Sequence, residues 1–212
     1  EMLSGDWSSD VCSSDLIVAG QRPSYREVVR VTVDTTGPLD RHAVFLDSAT
    51  GEPVARDPLL HFATGTVAFR VPQRGPQGPR VDLPAPRLGV FVNGIGATTD
   101  AAGQVSFADG PNAAVIAGVQ GDLVAILNDS GPVATTNLSL PPGGIAVWTD
   151  PGEQVDAQLS GYAHASVVKS RIRSIDPTFA FLDQQLQVTV NIPDICNAFS
   201  DGDAINFFLS GE

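Results

Sequence analysis

Residues 150–177 read DPGEQVDAQLSGYAHASVVKSRIRSIDP, and this stretch decides the fold that the sequence predicts. Asp150, Pro151 and Glu153 follow the pattern of a helix N-terminus, with a capping side chain, a proline and then a glutamate. Apolar residues recur near helical spacing at Val155, Leu159, Tyr162, Val167 and Ile172. The pair Asp176-Pro177 ends the pattern. The sequence therefore predicts one long helix over 151–175, capped by Asp150.

Short strands are predicted on both sides of this helix. After it, a helical turn over 178–183 leads to alternating strands over 186–192 and 204–209, with an extended or turning segment over 194–200 between them. Before it, apolar and polar residues alternate within short segments bounded by turn residues. These segments are 25–34, 43–47, 53–55, 67–71, 88–92, 95–99, 104–107, 113–119, 123–127 and 145–148.

Two turns and one proline-rich stretch organise the strands. Gly51 is predicted to supply a positive φ in a hairpin, and Asn93-Gly94 suits a type I′ turn. The stretch 72–87 holds five prolines and two glycines, which predicts a linker or an exposed loop. The fold class is therefore α+β and mostly β, with a β-rich, sandwich-like module over 88–149 that precedes the helix.

The composition argues against two classes of partner. The 212 residues carry a formal net charge of −12 and no basic block, which argues against nucleic acid. The apolar runs are too short for a membrane-spanning helix. A single lysine, Lys169, stands beside eleven arginines, an imbalance that we attribute to coding bias.

The first sixteen residues are predicted to be a sequencing artefact. The stretch 5–16 can be encoded by a DNA sequencing-library adapter read in one frame, and 1–16 has no apolar region of the kind found in a signal peptide. Without these residues, 20 acidic side chains face 12 basic ones and the net charge becomes −8. Cys12 is lost with them, which leaves Cys196 as the one cysteine.

The residues themselves offer no complete catalytic site. His42, His61 and His164 each stand alone, and His164 is expected to help pack the long helix. Cys196 would need a histidine brought near by the fold to act as a nucleophile. One acidic cluster fits a solvated turn better than a calcium loop, because the glutamate at the twelfth loop position is missing. Its members are Asp194, Asp201 and Asp203.

Two stretches, in this order, resemble the secreted zinc metallopeptidases of the fungalysin and thermolysin type. Residues 43–52, AVFLDSATGE, are similar to the end of the propeptide in such enzymes. Residues 196–208, CNAFSDGDAINFF, follow Ala163-His164 on the helix and the strand over 188–192, and they resemble the edge strand and acidic turn that precede the zinc-binding H-E-x-x-H helix. The region 88–148 is only generically similar, to β-sandwich modules often appended to secreted peptidases.

The resemblance implies a role for one strand. A peptide substrate would add itself to the sheet edge by main-chain hydrogen bonds. Asn197 matches the family residue whose side-chain amide binds the substrate backbone. Ala198 matches the residue whose main-chain groups bind it, and Phe199 matches a residue that helps to line the apolar wall. Ser200 departs from the bulky aromatic of thermolysin. The alternative interpretation of this strand is an edge that only packs.

The resemblance also implies what lies elsewhere in the parent protein. Zinc would be held by residues that follow Glu212, so the parent would be a zinc enzyme and this chain would hold no zinc and be inert. Cys196 would pair with a cysteine further along. We then expect 17–71 to be a propeptide-tail-like β segment, 72–87 a linker, 88–149 a β-rich module and 150–212 part of the peptidase N-terminal subdomain.

The leading hypothesis is therefore the N-terminal fragment of a secreted, zymogen-type metalloprotease, a hydrolase acting on polypeptides. The alternative is a non-enzymatic extracellular β-sandwich that binds or adheres, favoured by the turn-rich middle and the lack of a metal motif. The chain carries no signal peptide, so the extracellular location rests on the resemblance alone.

Overall fold

A computed structural model of the chain describes residues 26–34, 41–59, 62–75, 78–194 and 197–209. The predicted artefact over 1–16, His61 and Cys196 lie outside these residues. The chain divides into two compact units, Glu1–Phe62 and Ala63–Glu212. The fold is α+β and mostly β, as predicted. No helix in the described ranges has the length and apolar character needed to cross a membrane.

The first unit contains an antiparallel sheet of three strands in the order β1-β2-β3. Its strands are β1 (Val28–Asp34), β2 (Arg41–Asp47) and β3 (Pro53–Pro58). The turn between β2 and β3 has φ +71° at Gly51, whose amide donates to the Asp47 carbonyl at 2.8 Å. The predicted hairpin is confirmed, and the Asp47 carboxylate supports it by accepting the amides of Ala49 and Thr50 at 2.9 and 3.1 Å.

The second unit contains two sheets and the only α-helix of the described residues, α1 (Glu153–Ile175). One sheet has eight strands in the order β14-β15-β13-β10-β9-β6-β7, with β11 also paired to β9; the other has the order β12-β4-β5, with β8 paired to β4. The strands are β4 (Phe62–Pro72), β5 (Arg80–Pro84), β6 (Leu88–Val92), β7 (Ile95–Thr98), β8 (Gln104–Ala108), β9 (Ala113–Gly121), β10 (Val124–Asn128), β11 (Thr136–Leu140), β12 (Ile145–Trp148), β13 (Leu186–Ile192), β14 (Ala198–Ser200) and β15 (Ala204–Phe208).

Helix α1 and both sheets share one core. Phe69 of β4 lies edge-on to Trp148 of β12 and to Tyr162 of α1, with ring centroids 5.7 and 5.6 Å apart. The helix packs on β9, β10 and β13, and β10 pairs in parallel with β13. A parallel pair needs a long crossover connection, which α1 provides. The chain over 88–149 is therefore joined to the chain over 150–212 in one sheet, and the expected division at 149 does not separate two packed bodies.

The segment expected to be a linker is partly sheet. Strand β5 lies within 72–87, pairs with β4 and places Arg70 opposite Asp82. Ala85 behind it is fully buried, and its amide donates to the Val67 carbonyl at 2.9 Å. The linker prediction is therefore wrong at Arg80–Pro84, because an edge strand tolerates prolines at its ends. Residues 67–71 likewise belong to the second unit.

The start of α1 also differs from the prediction. Gly152 caps the helix without a side-chain hydrogen bond, and Glu153 is its first residue. Asp150 cannot serve as the N-cap, because its Oδ1 accepts the Gly152 amide at 2.8 Å in a turn that precedes the helix. The other end is confirmed, since the helix ends at Ile175 before Asp176-Pro177. The type I′ turn is also confirmed, with φ +50° at Asn93 and +82° at Gly94.

Candidate peptide-docking edge

Strand β14 is the outermost strand of the eight-stranded sheet. It pairs antiparallel with β15 on one side, and among the described residues no strand pairs with its other side. All three of its residues are exposed, and the Phe199 side chain keeps 47% of its surface accessible. The residues predicted to bind a peptide backbone therefore lie at an open sheet edge.

The register shows which main-chain groups point outward. The Phe208 amide donates to the Asn197 carbonyl at 3.0 Å and the Asp201 amide donates to the Ala204 carbonyl at 3.4 Å, so both are hydrogen-bonded pairs of the antiparallel ladder. Bonded and non-bonded pairs alternate along such a ladder. The amide and carbonyl groups of Ala198 and Ser200 must therefore point away from β15, toward the open edge.

The Asn197 side chain covers part of this edge. Its Oδ1 accepts the Ala198 amide at 2.8 Å, which satisfies one of the outward donors. The Asn197 main-chain carbonyl is already engaged with Phe208 inside the sheet. The side-chain amide is exposed and can rotate without disturbing that ladder bond. An added strand could therefore replace the Asn197 side chain as the acceptor of the Ala198 amide.

The two faces beside β14 differ in character. Phe199 lies opposite Asn206 of β15, and its ring centroid is 5.8 Å from that of Phe208. Asn206 is 7% exposed, and its Nδ2 has no hydrogen-bond partner among the described residues. Ala198 lies opposite Phe207 on the other face, where the Phe207 side chain is 40% exposed. The small Ala198 leaves room beside Phe207.

An apolar groove of about 550 Å³ adjoins this second face, between α1, β13 and β15. Val188 and Val190 form its floor, and Gly161 on α1 widens it, because a Cβ there would lie 3.3 Å from Val190 Cγ1. His164 lies in the helix wall, and its Nε2 is 2.9 Å from the Pro72 carbonyl oxygen. This contact fits the packing role expected for His164.

The acidic turn after β14 is held by its own side chains. Asp201 Oδ1 accepts the amides of Asp203 and Ala204 at 3.3 and 2.9 Å, and the Ser200 hydroxyl donates to the Ala204 carbonyl at 3.0 Å. Gly202 between them has φ +100°. In the described part of the chain no group of His, Cys, Asp and Glu is arranged to hold a metal ion.

The resemblance led us to expect an edge strand here, but nothing in the sequence indicated what lies behind it. Neither Asn206 nor the groove residues belong to a recognisable sequence motif. An asparagine in an alternating strand and valines that face a helix are typical of ordinary packing. Comparisons of the chain with protein-family models, with curated proteins and with solved structures found no match.

Proposed function

We propose that the chain is the N-terminal part of a secreted zinc metalloendopeptidase, and that β14 docks its polypeptide substrate as an added strand. The observation that carries this proposal is the outward direction of the Ala198 and Ser200 main-chain groups at an open edge. An added strand, parallel or antiparallel, hydrogen-bonds the main-chain amide and carbonyl of every second residue along an edge, here Ala198 and Ser200.

The side chains around β14 support an extended substrate. Successive side chains of an added strand alternate between the two faces. Every second one would lie beside Phe207 and the apolar groove, while the others would lie on the Phe199 face. When the peptide binds, the Asn197 side chain gives up its hydrogen bond with the main-chain amide of Ala198 and hydrogen-bonds the peptide backbone instead.

In the parent enzyme, residues beyond Glu212 would bind the zinc ion, and a water molecule on that zinc would perform the hydrolysis. The first unit, with its hairpin over β2 and β3, would be the propeptide tail of the zymogen. Reading the coding sequence past Glu212 tests this assignment. An H-E-x-x-H within a few tens of residues supports it, whereas a stop codon or a further β repeat contradicts it and favours the extracellular binding module.

Peptide docking can be tested on the chain itself. The probes are capped octapeptides labelled with fluorescein, with an apolar residue placed at each position in turn. We expect them to bind the chain, as measured by the rise in fluorescence anisotropy. Ala198→Pro removes an outward amide at an edge where proline is tolerated, and it should weaken binding about tenfold, the free energy of one main-chain hydrogen bond.

Thr98→Pro is the matched control. Thr98 lies on β7, at the other edge of the same sheet, and the Thr99 amide donates to the Leu88 carbonyl at 2.9 Å. By the same alternation the Thr98 amide points outward, so this proline carries the same local cost. Equal losses of binding in Ala198→Pro and Thr98→Pro would contradict docking at β14.

A further inference from the structure

A second, polar pocket lies on a different face of α1 from the groove. It has a volume of about 310 Å³. Four helix residues spaced to share one face line it, and the turns around residues 86–87 and 122–123 close it from the other side. The helix residues are Ser166, Lys169, Ser170 and Arg173.

Lys169 brings a buried ammonium group to this pocket. The residue is 5% exposed, and its Nζ donates to the Leu123 carbonyl at 3.1 Å and to the Gln184 carbonyl. An ammonium has three donors, so one proton has no oxygen acceptor among the described residues; the Phe181 ring centroid lies 5.8 Å from Nζ. Among the described residues no carboxylate forms a salt bridge with it, because Asp183 binds Arg173 at 2.6 Å instead. Desolvation lowers the pKa of Lys169, and the Arg173 charge lowers it further.

Ser166 adds a hydroxyl to the same pocket. The residue is 6% exposed and lines the pocket one helical turn before Lys169. Its hydroxyl makes no hydrogen bond with any described residue and is accessible from the pocket. The Ser166 hydroxyl and the Lys169 ammonium therefore line the same small space.

The charge of the pocket is opposite to that of the chain. Arg87, Lys169 and Arg173 outnumber Asp122 and Asp183 by one, whereas the whole chain carries −12. The main chain fixes Arg87 firmly: its amide donates to the Asp100 carbonyl at 3.1 Å, and its carbonyl accepts the Asp122 amide at 3.0 Å. Its φ is +55°, which a non-glycine residue seldom adopts.

We propose that this pocket binds a small oxyanion, a carboxylate or a phosphate group. The free Lys169 proton and the Ser166 hydroxyl hold the anion from α1, the exposed Ser170 hydroxyl contributes at the mouth, and Arg87 closes the site from the facing turn. The anion supplies the negative charge that the buried ammonium lacks. This site shares no residue with β14, so it stands or falls independently of peptide docking.

The single lysine makes the test direct. With ¹³C-lysine labelling of the whole chain, the ε-methylene of Lys169 gives one resonance. Titration with inorganic phosphate in one arm and succinate in the other, at constant ionic strength kept with chloride, should give a saturable shift in at least one arm. We expect a dissociation constant below about 1 mM. A shift that grows linearly without saturation, or that chloride alone reproduces, would overturn the proposal.

Three variants locate the binding. Ser166→Ala and Arg87→Gln should each raise the dissociation constant about tenfold or more, since each removes a hydrogen bond to an anion. Ser160→Ala is the control, because Ser160 lies on the groove face of the same helix. Unchanged affinity in both Ser166→Ala and Arg87→Gln, with the circular dichroism spectrum preserved, would exclude this pocket as the site.

Discussion

The two ends of the eight-stranded sheet present the same main-chain chemistry in different surroundings. At the β6–β7 end, which we call the closed end, Thr99 is fully buried and its hydroxyl donates to the Ala85 carbonyl at 2.6 Å while accepting the Leu88 amide at 2.9 Å. At the β14–β15 end, the open end, Asn206 is buried beside exposed phenylalanines, and no residue in the described ranges pairs with its Nδ2. Both ends expose outward amides, so the docking proposed at the open end depends on the Asn206 amide and the adjacent groove as well as on the open edge.

The largest effect is expected where the closed end meets α1. A Cβ at Gly121 would lie 2.2 Å from the Arg87 carbonyl oxygen and 2.3 Å from the Tyr162 hydroxyl. Gly121→Val should therefore lower the free energy of unfolding by about 3 kcal/mol or more, as measured by urea denaturation. Gly96→Ala is the control, because its nearest neighbour would be 3.8 Å away. Equal stability of the two variants would show that the closed end is not tightly packed.

A smaller loss is expected from Thr99→Val. The substitution keeps the shape but leaves the Leu88 amide and the Ala85 carbonyl without the hydroxyl, in a buried position. The expected cost is about 2 kcal/mol in the free energy of unfolding. A loss below about 0.5 kcal/mol would mean that water reaches this site.

The open end should respond in the opposite direction. Asn206→Val removes a buried amide whose Nδ2 is bonded to no residue that the structure describes, so it should leave stability unchanged or raise it by up to about 1 kcal/mol. Asn191→Gly is the comparison: its Nδ2 donates to Asn128 Oδ1 at 2.8 Å and to the Gln154 carbonyl at 3.0 Å, and glycine tolerates its φ of +60°. That variant should lose about 1–3 kcal/mol. Equal losses at both positions would show that Asn206 is satisfied.

The smallest effect is expected on the four-stranded sheet. Hydrogen bonds from Arg70 at 2.6 and 2.8 Å lower the pKa of Asp82. A carboxylate with a lowered folded-state pKa contributes stability above its ordinary value of 3.8, and that contribution is lost as the pH falls through the lowered value. Asp82→Asn should cost less than about 1 kcal/mol at pH 7, because the pair is exposed, and should flatten the acid limb of the stability curve. A large loss at pH 7 would place Asp82 in a buried network.

Local patterns predicted the elements that close within a few residues. The Asn93-Gly94 turn, the Gly51 hairpin and the helix end at Asp176 follow from backbone preferences that neighbours do not change. Strand β5 escaped prediction because its prolines resemble a linker, although an edge strand can carry them. The N-cap at Asp150 failed because two short hydrogen-bonding patterns compete for the same carboxylate.

The candidate site residues also divide into those that the sequence singled out and one that it did not. Asn197, Ala198 and Phe199 were singled out by a resemblance to a short motif, and the described structure has them exposed at a sheet edge; their role in peptide binding remains a prediction. The presence of one lysine, Lys169, beside eleven arginines was attributed to coding bias, so Lys169 was not among the candidate site residues. Its burial depends on residues 123 and 184, which the chain brings to it from both sides.

By itself the sequence determined the class of the fold, most strand positions and the long helix, because apolar periodicity and turn residues act over a few positions. Only the tertiary structure decided that β14 lies at the edge, that α1 joins the β-rich region to β13, and that one face of α1 encloses a lysine. Pairing order and burial depend on contacts between residues far apart in the chain, and no local pattern encodes which strand is left without a neighbour.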